Sequence, residues 1–122
     1  MNRNPRILFI CSRNKWRSPT AERIYKSDRR VDVRSAGLSG KSPHCLTKAD
    51  LEWADLVLVM EPGQKNWIFS MFGKLQLPPI KSLDIPDEYE FMDSELINLI
   101  QTSVEFHIRE LTKSASIPEY NS

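Results

Sequence analysis

Long apolar runs are missing from this chain. In its 122 residues none reaches the roughly 18 that a membrane span requires. Met1 to Arg6 are polar, and only five apolar or small residues follow before a charged loop. That is short of the about 7–15 apolar residues in the core of a secretory leader, so a cytosolic location is expected. Cysteine is scarce as well, with only Cys11 and Cys45. A non-secreted chain of this size needs no disulfide, and free thiols are expected. The only histidines are His44 and His107, and no Cys/His cluster has zinc spacing. No metal and no other cofactor is therefore expected. Internal repeats and linkers are absent, and no basic run is interleaved with aromatics, which argues against a nucleic-acid surface.

What is present fits one folded domain. Hydrophobic residues make up 40% and charged residues 27%, a globular balance in a chain long enough for one core. The domain is expected over residues 1–113, with a flexible tail over 114–122. The net charge of +1 hides a polarity. Ten Lys/Arg against three acids fill residues 1–34, whereas residues 84–122 hold nine acids and two bases. The basic end implies an anionic partner. Arg29 and Arg30 read instead as a solvated face.

The pattern alternates strand and helix. Arg6 to Ile10 is a short buried strand, and Ser18-Pro19 starts a helix through Lys26. Val31 to Ser35 alternates as a second strand, followed by the turn-rich stretch Ala36 to Pro43. Thr47, with Asp50 three residues on, caps a short helix over Lys48 to Trp53. Asp55 to Met60 is apolar enough to be buried on both faces. Pro62 opens a helix with Trp67, Ile68, Met71 and Phe72 as its apolar stripe and Gly73 as its stop. Pro79 to Leu83 is a weaker strand. Asp93 to Lys113 is an amphipathic helix with Leu96, Ile97, Ile100, Val104, Ile108 and Leu111 inward. Such alternation predicts an α/β fold, a three-layer α/β/α arrangement on a four-stranded parallel sheet. Ligands in such sheets bind beyond the carboxyl ends of the strands, and the first strand ends at Cys11.

The segment from there reads Cys11-Ser12-Arg13-Asn14-Lys15-Trp16-Arg17-Ser18-Pro19. A Cys, five residues and Arg-Ser, set between a buried strand and a helix, form a phosphate cradle with a nucleophile in its floor. Backbone N–H groups from Ser12 to Ser18 can converge on an oxyanion, and the same field favours the thiolate of Cys11. Arg17 can grip two phosphate oxygens as a planar fork. Ser18 can donate to the sulfur and help it leave. Trp16 could stack on an aromatic ester or pack against the rim of the loop. Tyr89 could line the pocket or stay in an exposed loop. Trp53 and Trp67 fall on apolar helical faces and read as core, His44 as a loop histidine, and Cys45 as an inert thiol.

This chain resembles the low-molecular-weight protein tyrosine phosphatase family. The resemblance rests on Ile7 to Cys11, Asn14, Arg17-Ser18-Pro19-Thr20-Ala21-Glu22, Arg34-Ser35-Ala36-Gly37 and Asp55 to Met60. It implies a phosphotyrosine-phosphatase-I-like fold and a phosphocysteine on Cys11. It also implies Arg17 as phosphate clamp, with Asn14, Ser18 and Ser35 supporting the loop. An Asp after the last strand would protonate the leaving oxygen. The substrate would be a phosphorylated protein or small phosphomonoester, and inorganic phosphate or sulfate would fit the loop.

Three departures stand out. Where the family loop usually has Gly and a second Cys, this loop has Arg13 and Trp16, so the nucleophile lacks a protecting partner. The stretch between Gly37 and Thr47, which walls the site in the family, is short. The family's Asp-Pro-Tyr is here Asp84-Ile85-Pro86-Asp87-Glu88-Tyr89. Strand-end position favours Asp84, while Asp87 lies nearer the tyrosine. The leading expectation is a phosphotyrosine phosphatase. Arsenate reduction on the same fold would need cysteines beyond Cys45. A binding module that kept the loop and lost the acid is the non-enzymatic alternative.

Overall fold

The computed structural model describes residues 3–120, with side chains through residue 112. The elements are β1 (Arg6–Cys11), α1 (Arg17–Tyr25), β2 (Asp32–Gly37), α2 (Lys48–Trp53), β3 (Leu56–Val59), α3 (Pro62–Phe72), β4 (Ile80–Ser82) and α4 (Ser94–Tyr120). All strand pairs are parallel, in the order β2-β1-β3-β4. The chain first steps from β1 to β2 and then crosses back to β3. This reversal opens a crevice beyond the carboxyl ends of β1 and β3.

Alternation along the strands builds two cores. Ile7, Phe9, Leu56, Leu58 and Met60 face one side, where Ala21 and Tyr25 of α1 and Leu96, Ile100, Val104 and Ile108 of α4 cover them. Leu8, Ile10, Val57, Val59 and Ile80 face the other, under Leu51 of α2 and Ile68 of α3. The molecule is therefore a three-layer α/β/α sandwich. Each fully buried Leu or Ile contributes about 1.5–3 kcal/mol, and β1 and β3, covered on both faces, hold the sheet centre.

Several element ends differ from the sequence reading. Helix α1 begins at Arg17 with Trp16 as its cap, not at the Ser-Pro pair. The Ser18 hydroxyl is engaged by Cys11 and Asn14 and does not cap. Thr47 and Asp50 do form the expected reciprocal cap of α2. Gly73 closes α3 in a right-handed conformation. A Cβ there would sit 2.4 Å from the Phe69 carbonyl oxygen, so close approach requires the glycine. Of the stripe assigned to α3, Ile68 is buried, but Met71 is exposed and Trp67 is 39% exposed. Trp53 is half-buried, with the Arg34 guanidinium 4.2 Å from its ring centre. On α4, Ile97 is only half-buried. The helix runs past Lys113, since no glycine or proline interrupts it before Pro118. The side chains of the tail expected over 114–122, and residues 121 and 122 entirely, lie outside the described residues. Among the described residues no helix is long and apolar enough to cross a membrane.

Arg29 and Arg30 are exposed, as the sequence suggested, and Arg30 is also engaged in hydrogen bonds. It donates to Asp28 and to Glu105 of α4, and Glu105 accepts from the Tyr25 hydroxyl at 3.1 Å. Hydrogen bonds from Arg30 hold the carboxyls of Glu105 and Asp28 below their ordinary values. A depressed carboxylate contributes stability above its unfolded pKa and loses it as pH falls. Glu105→Gln should therefore cost about 0.5–1 kcal/mol at neutral pH. The difference from wild type should shrink on acidification below about pH 4. Urea unfolding at several pH values checks this, and a pH-independent difference contradicts it.

Candidate active site

The loop between β1 and α1 is shaped from beneath. Asn14 is buried and takes a left-handed backbone (φ 52°), which asparagine adopts more readily than most residues. Its side-chain amide donates to Ser18 Oγ and to Ser35 Oγ, both at 3.0 Å. Ser35 in turn donates a hydrogen bond to Glu22 of α1. Both protons of the Asn14 amide are thus engaged. Ser18 Oγ, which accepts from Asn14, lies 3.0 Å from Cys11 Sγ and 3.5 Å from the Ala36 carbonyl oxygen, so its proton can face the sulfur or the carbonyl.

The other supports are backbone. Leu38 N donates to Cys11 O and Ser39 N donates to Ser12 O at 2.7 Å. The loop lies so close on β2 that a Cβ at Gly37 would stand 2.8 Å from the Asn14 amide nitrogen and 2.1 Å from Ser42 Oγ. From β3's end, Gln64 accepts the amides of Met60 and Glu61 and donates to Ser12 Oγ at 3.2 Å.

A cavity of about 200 Å³ opens over this loop. Cys11, Ser12, Arg13, Lys15, Trp16 and Arg17 line it, and Asp87 enters from across. Cys11 and Arg17 are buried, at 3% and 2% exposure. Arg17 Nη1 donates to Ile85 O at 2.8 Å and pairs with Glu61. Its Nε lies 3.7 Å from Asp87 Oδ1. A buried guanidinium left unpaired would be strongly destabilising, and these partners also aim the fork. An oxyanion in this cavity would meet the Cys11 sulfur, a paired guanidinium and the Asp87 carboxylate.

The two acid candidates separate. Asp84 lies between the buried Leu83 and Ile85 and so points outward. It takes a left-handed turn (φ 56°) and accepts from Ser82 Oγ at 2.6 Å. Asp84, exposed in that turn beyond the end of β4, does not line the cavity. Asp87 is the acid of that segment lining the cavity. Tyr89 packs half-buried on the core and donates to Glu95, away from the lining. His44 pairs with Asp50 at 2.9 Å, and Cys45 is exposed, its Sγ 3.3 Å from Ser39 O. The short stretch after Gly37 leaves a side groove open, where Trp67 lines the wall with Leu38 and Ser39.

Glu61 and Gln64 went unmarked in the sequence reading, and Glu22 was quoted without a role. The signal for Glu61 was available: an acid directly after buried β3 occupies the same strand-end position as Cys11 after β1. Among the described residues no group of three or more His, Cys, Asp or Glu could hold a metal ion.

The loop from Cys11 to Arg17 thus sits at the switch point of a four-stranded parallel sheet. No protein-family model matches the chain. A low-molecular-weight protein-tyrosine-phosphatase from Acinetobacter johnsonii is 30% identical, over 69% of this chain and 80% of that one. This chain belongs to the low-molecular-weight protein-tyrosine-phosphatase family. A protein-arginine-phosphatase from Bacillus subtilis is 37% identical over 56% of this chain, which spans 63% of that relative's length. The structure of the arginine phosphatase YwlE, a Cys-to-Ser mutant with a phosphorylated active-site serine, aligns at a TM-score of 0.63. It is 26% identical and covers 84% of this chain and 95% of its own.

If the Asn14 relay sets the loop, Asn14→Ala should weaken inorganic phosphate binding about tenfold or more. It should also cost about 1–3 kcal/mol of stability, because Ser18 and Ser35 lose a buried donor. Calorimetric titration and urea unfolding read both effects, and unchanged phosphate affinity contradicts the assignment.

Proposed function

We propose that this protein hydrolyses phosphotyrosine in proteins through a phosphocysteine on Cys11. The observation that carries the reading is one cavity of about 200 Å³ holding a buried thiol, a buried guanidinium and the Asp87 carboxylate together. In the first step the Cys11 thiolate attacks phosphorus, the S–P bond forms and the P–O bond to the aryl group breaks. The leaving oxygen takes the proton of Asp87. In the second step the Asp87 carboxylate removes a proton from water, and the resulting hydroxide attacks phosphorus. The S–P bond breaks and the electron pair returns to sulfur, where the Ser18 hydroxyl stabilises it. Arg17 and the loop amides from Ser12 to Ser18 hold the equatorial oxygens as charge grows on them. Asn14 and Ser35 keep the cradle in shape.

Phosphoarginine is the second reading, favoured by the activity in the name of the Bacillus relative. The rim argues for tyrosine. Arg13 and Lys15 oppose the cationic guanidinium that phosphoarginine brings, whereas Trp16, 36% exposed, offers its ring to a phenyl group. Arsenate reduction would need a further cysteine at the pocket, and Cys45 does not line it. Asp87 supplies the acid whose loss the binding-module alternative required. A nucleophilic thiol with no cysteine beside it depends on a reducing compartment, which supports a cytosolic location.

The acid's identity is tested through the leaving group. Asp87→Asn should slow hydrolysis of a phosphotyrosine ester by about 10²–10⁴-fold and an activated nitrophenyl ester far less. It should also flatten the basic limb of the pH profile. Asp84→Asn should have a mild effect that does not depend on leaving group. The reverse pattern would move the role to Asp84. Leaving-group independence in both variants would favour a phosphate-binding module.

A further inference from the structure

We infer that Arg13 and Lys15 form a second anion subsite on the wall of the catalytic pocket, made for a phosphotyrosine flanked by Asp or Glu. This rests on the phosphatase reading above and goes on to the sequence around the phosphorylated residue. The loop geometry sets the pair in place. Residues 13, 14 and 15 alternate exposed, buried, exposed, and the left-handed turn at Asn14 holds its amide inward. Arg13 and Lys15 consequently line the same cavity as Cys11. The Lys15 ammonium sits 4.8 Å from the ring centre of Trp16, a contact that favours one position at the rim.

Among the described residues neither cation is held by a carboxylate. Asp87, the acid that lines the cavity, faces Arg17, as does Glu61 from the neighbouring groove. Four other surface cations have partners: Arg3 pairs with Asp55, Arg30 with Asp28 and Glu105, Arg34 with Asp50 and Lys48 with Glu52. Among the described residues Arg13 and Lys15 form no ion pair. Unpaired cations also occur on open surface such as Arg29, but these two stand on the wall of the cavity that holds the nucleophile. The scissile phosphate itself is served by Arg17 and the backbone amides, which leaves the rim cations for charge carried elsewhere on the substrate.

The test compares phosphotyrosine peptides that differ only in the residues next to the phosphotyrosine: Asp or Glu, Gln or Asn, and Lys. For the wild-type protein kcat/KM should be roughly fivefold to tenfold higher for the acidic than for the amide peptide, the worth of one or two exposed ion pairs. It should be lowest for the lysine peptide, and the preference should shrink as salt is raised. In Arg13→Ala/Lys15→Ala the ratio between acidic and amide peptides should fall to near one, whereas Arg13→Lys/Lys15→Arg should retain it. Equal kcat/KM on the acidic and amide peptides would overturn the subsite, as would a preference that survives the alanine pair. A change in overall rate with the ratio intact would show the cations steering any phosphate, and would overturn it too. Failure to turn over any phosphotyrosine peptide would instead overturn the phosphatase reading itself.

Discussion

The hydrogen bonds of one buried amide set the shape of this site. Asn14 occupies the point where the loop must turn left-handed, and it ties that turn to α1 through Ser18 and to β2 through Ser35. The loop is thereby tied to the elements on both sides of it. The same amide orders the protons: because it donates to Ser18, Ser18 can donate to Cys11. A cradle fixed only by its own backbone would bind phosphate at the cost of ordering eight residues.

The second constraint is electrostatic. Burying Arg17 beneath a charged loop requires compensation, and the fold supplies it from three directions: Glu61 after β3, the Ile85 carbonyl and Asp87 beyond β4. All three lie past the carboxyl ends of strands on the β3 side of the switch point. The sheet order is thus what allows one guanidinium to be both paired and presented. Asp87 both pairs with the guanidinium and lines the cavity, where the proposed proton donor has to stand.

Much of this was legible in the sequence. The parallel α/β architecture followed from apolar runs alternating with amphipathic stretches, and the phosphate loop followed from Cys11, Arg17 and the buried strand before them. Helix starts were less legible: Ser18 has the chemistry of a cap, but a stronger local demand, the sulfur beside it, claims its hydroxyl. Trp67 looked like core because helical spacing cannot report that the neighbouring loop is short and leaves it at a groove. The choice between Asp84 and Asp87 was hidden for a similar reason. Strand-end position marks where a chain leaves the sheet, but a left-handed turn at Asp84, closed by Ser82, leaves Asp84 exposed and brings Asp87 to the cavity. Glu61 escaped notice because its role depends on a partner, Arg17, that lies 44 positions away in sequence.

The central claim is that phosphate passes through sulfur. Rapid acid quench during the first turnover of a phosphotyrosine substrate, followed by mass spectrometry of the peptide that carries Cys11, measures this directly. The account predicts a phosphoryl group on Cys11 that rises and decays within the turnover. Product formed with no adduct at Cys11, or an adduct on another residue, would contradict it.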